Sequence, residues 1–146
     1  MFAYYDKSEF PIVKIILNNI IKDDNDFKNF TNEWLLLYNN KKYFEFIIDT
    51  KNCGLINPKY CFYMAMFIKK IKTQKIQFLE KSTIYVYNKY IFELLKIIFY
   101  IQKPVAPIKI IYNCNCDHDC DCDYDCNCDH DRDCNLYDNQ KYKIYE

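Results

Sequence analysis

A chain of 146 residues suffices for one domain with a core of its own and leaves no room for a second globular unit. Its single glycine, Gly54, excludes phosphate-cradling loops and dinucleotide fingerprints, which need several glycines so that backbone amides approach the ligand with no Cβ in the way. The formal charge of +0 hides a split, because residues 1–113 carry 17 Lys against 10 acids, giving +7, and residues 114–146 carry three basic side chains against 10 acids, giving −7.

Met1 to Phe10 offers a short edge strand and lacks the basic region, apolar run and small-residue cleavage site of a secretory signal. Ile12 to Leu17 is an apolar run rich in β-branched residues, and it predicts the first core strand. Phe27, Phe30, Trp34, Leu37 and Tyr38 then recur at helical spacing. Asp23, Asp24 and Asp26 precede them and Lys41 and Lys42 follow, charges that complement a helix dipole. Phe44 to Asp49 predicts a second strand. The second helix opens at Asn57-Pro58, a capping side chain followed by proline, and Tyr60, Cys61, Met64, Phe67, Ile68 and Ile71 line one of its faces.

Ile84 to Tyr87 predicts a third strand and Ile108 to Tyr112 a fourth. Between them a third helix runs from near Asn88 and stops before Pro104, which disfavours helical geometry at the residue before it. Its apolar residues almost encircle it. Ile91, Leu94, Leu95 and Ile98 can face a sheet, which leaves Phe92, Phe99 and Tyr100 partly outside that stripe. Tyr90 to Ile101 is the most apolar stretch, and it is too short and too interrupted by Glu93 and Lys96 to cross a bilayer.

Near-continuous apolar strands suit a sheet covered on both faces, and strands alternating with helices imply right-handed crossovers. The expected fold is α/β over residues 1–112, with a small, mainly parallel four-stranded sheet flanked by three helices. Residues 113–146 are expected to form a low-complexity acidic tail, mostly disordered without metal. An intracellular, cytoplasmic setting with reduced thiols is expected.

This element order resembles the STAS-like fold of anti-sigma-factor antagonists and of the cytoplasmic domains of sulphate transporters. The likeness includes the run linking FEFIID (44–49) to the helix at Asn57-Pro58, and it spans about residues 10–112. In the regulatory branch of that family a phosphorylatable serine or threonine opens the helix after the second core strand. Here Leu55-Ile56-Asn57-Pro58-Lys59-Tyr60 holds no fitting hydroxyl, so the resemblance implies partner docking without a phospho-switch. The chain as a whole is similar to uncharacterised proteins of large DNA viruses of protists, which would place it in a host cytoplasm or a virion.

From Cys114 to Cys134 the sequence has period two, with Asp or Asn at every odd position. A unit Cys-x-Cys-Asp-[His/Tyr]-Asp repeats from Cys114, Cys120 and Cys126. Cys114, Cys116, His118, Cys120, Cys122, Cys126, Cys128, His130 and Cys134 supply seven thiols and two imidazoles, enough donors for two tetrahedral sites for zinc or copper. The Cys-x-Cys pairs resemble those of metallothioneins. The flanking carboxylates raise thiol pKa by like-charge repulsion, which argues against a reactive thiolate. The alternative is a drifting hexanucleotide repeat, since Asp, Asn, His, Tyr, Cys and Arg use closely related codons.

Residues 1–113 contain no histidine, and their carboxylates form no recognisable catalytic pair, so no enzyme activity and no cofactor in the α/β domain are expected. Cys53 and Cys61 read as small buried hydrophobes. Asp49, Asn57, Asn88 and Asn113 lie near strand ends, where open α/β sheets bind ligands, but capping and turn formation account for them equally. Lys69, Lys70, Lys72 and Lys75 read as a solvated face rather than a nucleic-acid site. The expected function is a non-enzymatic protein-interaction module that docks a protein partner, or a second copy, through Phe92, Phe99 and Tyr100. Metal sequestration by the repeat is the alternative.

Overall fold

The computed structural model describes residues 1–113 and 140–145. Among these, the elements run β1 (Ala3–Asp6), β2 (Ile12–Asn19), α1 (Asp24–Tyr38), β3 (Phe44–Cys53), α2 (Lys59–Ile71), β4 (Leu79–Val86), α3 (Lys89–Ile101), β5 (Ile108–Asn113) and β6 (Gln140–Tyr145). The strands form one mixed sheet in sequence order. β2 to β5 are parallel, each joined to the next through a helix, while β1 and β6 pair antiparallel on the two edges.

The α/β class and the three helices are as expected, but the sheet has six strands and is mixed, not a four-stranded, mainly parallel one. The two additions are the antiparallel edges. β6 lies in residues assigned to the tail on sequence grounds; Lys141-Tyr142-Lys143-Ile144-Tyr145 has strand alternation, but the repeat separates it from the rest of the apolar pattern.

Local chemistry sets the helix starts. The Asp23 carboxylate accepts hydrogen bonds from the amides of Asn25 and Asp26, both at 2.9 Å, and so satisfies donors that no helical carbonyl reaches. Asn88 Oδ1 accepts from the Ile91 amide at 2.9 Å and does the same for α3. Before α2, Asn57 Oδ1 accepts from the Lys59 amide at 3.0 Å, and Pro58, with φ −54°, already has helical geometry. Lys41 and Lys42 fall beyond the end of α1, whose last turn carries no basic residue. At Gly54 a side chain has no room, because a Cβ there would meet Ile20 Cγ2 at 2.8 Å.

All three helices lie on one face of the sheet. Strand register puts Tyr5, Ile15, Ile48, Ile84 and Ile110 in one row across five strands. On that face α1 contacts β1 and β3 through the Tyr5–Phe30 and Trp34–Phe46 ring pairs. α3 contacts β5 and β6 on the same face through Phe92–Tyr112 and Phe99–Tyr145. α2 is held between its neighbours by Trp34–Phe67 and by Cys61 Sγ against the Leu94 carbonyl.

Among the described residues, the other face has no helical cover, whereas a sheet covered on both sides was expected. Ile12, Ile16, Ile47, Thr83 and Tyr85 are half-buried there beside the ion pairs Lys14–Glu9 (3.0 Å) and Lys81–Glu45 (3.4 Å). Neighbouring strands shelter enough of each isoleucine to account for the apolar runs without a second helical layer. Among the described residues, no helix is long and apolar enough to cross a membrane.

Trp34 sits at the centre of the layer, with Phe46 at 4.8 Å and Phe67 at 5.4 Å in edge-to-face geometry. Phe46 is 1% exposed. Phe46→Ala is expected to cost about 3–5 kcal/mol in urea denaturation; a loss below about 1 kcal/mol would show that the layer does not depend on it. Asp23→Ala is expected to cost about 1 kcal/mol, measured in the same way.

Candidate functional site

The polar residues at the strand ends are committed to local structure. The Asp49 carboxylate accepts from the Lys51 amide at 2.8 Å, Asn57 Oδ1 accepts from the Lys59 amide ahead of the Pro58 N-cap, Asn88 caps α3, and Asn113 closes β5 opposite Gln140. None of these four side chains is brought together with another as a ligand-binding group.

A cluster that sequence reasoning missed lies where α1 and α2 begin. Asp24 accepts from the Lys59 ammonium at 3.2 Å and from the Tyr60 hydroxyl at 3.1 Å. The Lys59 ammonium also lies 4.9 Å from the Tyr60 ring centre and 5.9 Å from that of Tyr63. Hydrogen bonds from Lys59 and Tyr60 hold the Asp24 carboxyl below its usual range, and the bond to Asp24 pushes the Lys59 ammonium up. Burial, then the bond to Asp24, raises the Tyr60 hydroxyl. Each group stabilises the ionisation state it already has, so the cluster clamps α1 to α2 and supplies neither a base nor a nucleophile at neutral pH. Its sequence signal is a pair of helix starts, Asp23-Asp24 and Lys59-Tyr60, which only the fold brings together.

Cys53 and Cys61 are buried free thiols on separate elements. Desolvation pushes the Cys53 thiol up to about 11 and raises that of Cys61 as well, which makes both poor nucleophiles. Among the described residues, no group of His, Cys, Asp and Glu is placed to hold a metal ion. The sequence-predicted ligands Cys114, Cys116, His118, Cys120, Cys122, Cys126, Cys128, His130 and Cys134 lie outside the described residues. The structure does place the two residues that flank this segment, since Asn113 and Gln140 are register partners in the β5–β6 pairing.

Of the residues expected to contact a partner, Tyr100 is 93% exposed, whereas Phe99 is buried and Phe92 is half-buried. Phe99 packs on Tyr145 and Phe92 on Tyr112, with ring centres 4.9 and 5.5 Å apart. Phe92 thus packs on β5 and Phe99 on β6, which widens the sheet under α3. The large exposed apolar side chains of the helices are Leu36 on α1, Phe62, Tyr63 and Met66 on α2, and Tyr90, Ile97, Tyr100 and Ile101 on α3. Helical spacing had assigned α2 a single apolar face, and Phe62 and Met66 fall on the opposite one, one turn apart.

Between helices and sheet lies an apolar cavity of about 130 Å³, bordered by side chains of all three helices and of β2 to β5. Among its borders, Thr50 Oγ1 donates to the Tyr85 carbonyl at 2.8 Å and Tyr60 to Asp24, and Trp34 also lines it. Trp34 Nε1 is buried with no acceptor in hydrogen-bonding geometry, although its N–H dipole acts on the Tyr38 hydroxyl and partly offsets the upward push of burial there.

In a chain whose seven repeat cysteines are serine, Cys53 and Cys61 are expected to resist iodoacetamide at pH 8 and to react fully once unfolded; rapid labelling of folded protein would contradict their burial. Between pH 9, where the unfolded thiol ionises, and about 11, where buried Cys53 does, the native state holds the extra proton. Stability therefore falls as pH rises through that window, and Cys53→Ala should flatten the fall. Set against known proteins, the chain matches no family model, no curated protein and no solved structure.

Proposed function

We propose that this chain is a non-enzymatic protein-interaction module of STAS-like type with an acidic appendage, and that it docks a partner on the outer surface of α2 and α3. The observation that carries the reading is the apolar side chains left uncovered there, with Phe62 62%, Met66 63% and Tyr100 93% exposed. Large apolar groups left exposed are candidates for an interaction site. The STAS-like part is supported by the β-α-β-α-β-α-β order from β2 to β5 and by a helix start at Asn57-Pro58 with no hydroxyl for phosphorylation.

Lys69, Lys70 and Lys72 are exposed at the end of α2, on the rim of this surface. The complementary partner is an amphipathic protein segment with an apolar face and acidic flanks. A labelled helical peptide with leucines at i, i+3, i+4 and i+7 and glutamates elsewhere is the probe. It is expected to bind the full chain, less tightly as salt rises. Met66→Ser and Tyr100→Ser are each expected to weaken binding roughly tenfold, while Tyr4→Ser on the uncovered sheet face leaves it unchanged. Equal binding by all three variants would overturn the assignment of this surface.

A second reading, zinc or copper binding by the repeat, is favoured by the pairing of Asn113 with Gln140. Ends already held together lower the entropy lost when the intervening donors gather on an ion. The comparison chain replaces residues 114–139 with a two-residue turn and so keeps β6. Cobalt titration of the reduced full chain is expected to give thiolate charge-transfer absorption that the comparison chain lacks; identical spectra would refute metal binding.

A further inference from the structure

We propose that the pocket between the helix layer and the sheet binds a small ligand with an apolar body and a single hydroxyl, phenol-like in size and chemistry, whose oxygen meets Trp34 and Ser82. The site is distinct from the docking surface on α2 and α3. Three observations carry the inference.

The first is an unspent donor. Trp34 lines the pocket and is 6% exposed, and its Nε1 has no acceptor. A donor buried in this state has given up its water without replacement, so a ligand oxygen that reaches it restores a missing bond. The second is a hydroxyl on the same part of the wall. Ser82 is 3% exposed, lines the pocket, and shares the helix-facing side of β4 with Ile84. It is the register partner of Phe46, the ring on which Trp34 packs at 4.8 Å, so sheet register and helix packing bring the two polar side chains into one neighbourhood. An alcohol or phenol oxygen can accept from Trp34 Nε1 while it gives its proton to Ser82 Oγ. The third is the pairing of size with surface. About 130 Å³ is well short of a pocket for a drug-sized molecule, and most of the wall is aliphatic or aromatic, as at Leu79, Ile84, Leu94 and Ile108. One ring or a short hydrocarbon chain with one polar end fits that space.

Trp34 is the chain's only tryptophan, so its indole N–H gives a single resonance in a nitrogen–proton correlation spectrum. Phenol titrated into the full chain is expected to move that resonance downfield to a plateau, a shift that benzene at the same concentrations does not reproduce. In thermal unfolding at rising ligand concentration, phenol is expected to bind roughly tenfold more tightly than benzene, the worth of about one net hydrogen bond. Ser82→Ala removes the hydroxyl with little change of volume and is expected to bring phenol down to the affinity of benzene. Should that variant not fold, the indole resonance of the unaltered chain decides. An indole resonance that phenol does not move, equal binding of phenol and benzene, or an undiminished preference for phenol in folded Ser82→Ala would each overturn the proposal.

Discussion

Four parallel strands laid side by side in sequence order constrain everything built on them. Each connection must carry the chain back along the strand just made, and the right-handed preference of such crossovers drops every helix onto the same side. The register confirms it, with Tyr5, Ile15, Ile48, Ile84 and Ile110 forming a continuous row beneath α1, α2 and α3. The domain is therefore two layers deep. Among the described residues, one sheet face and the outer surface of three helices carry no further layer, and those are the two broad surfaces on which to look for function.

The helix layer has to be secured without a second layer behind it, and aromatic side chains do most of this. Trp34 meets Phe46 below and Phe67 beside it, Tyr60 meets Phe27, and Phe99 meets Tyr145. Each edge-to-face or offset pair adds about 0.5–1.5 kcal/mol to the burial of its rings. Where α1 and α2 begin, Asp24 ties Lys59 and Tyr60 together from the neighbouring helix. Such an exposed pair contributes little stability by itself. Its use is to fix the rotation of α2, which determines that Phe62 and Met66 point outward while Cys61 and Ala65 point in.

Periodicity made the middle of the fold legible and left its edges obscure. Ile12 to Leu17, Phe44 to Asp49 and Ile108 to Tyr112 are strands because β-branched runs of that length bury well in a sheet, and Asp23, Asn57 and Asn88 announce helices by capping chemistry. β3 and β4 extend beyond their apolar runs, to Cys53 and back to Leu79, because backbone pairing continues where side chains turn polar. β6 was hidden for a different reason: its partner β5 is next to it in space and remote in sequence. Without a sixth strand under α3, Phe99 looks spare, although it packs on Tyr145. The Asp24–Lys59–Tyr60 cluster was illegible for the complementary reason, since no pattern along one helix foretells which residues of two helix starts will meet.

The cavity and the exposed helical surface follow from the same architecture. A core filled by large rings from a single helical layer meets a sheet face whose side chains are mostly β-branched, and rings that pack edge-to-face with one another cannot also fill every hollow between isoleucines. Of the polar groups bordering the hollow, Thr50 and Tyr60 donate within the protein, whereas Trp34 Nε1 has no acceptor. Interior and exterior are joined by α2 and α3. Cys61 and Leu94 border the cavity on the two helices, while Met66 and Tyr100 stand on their outer surface about one and a half turns along.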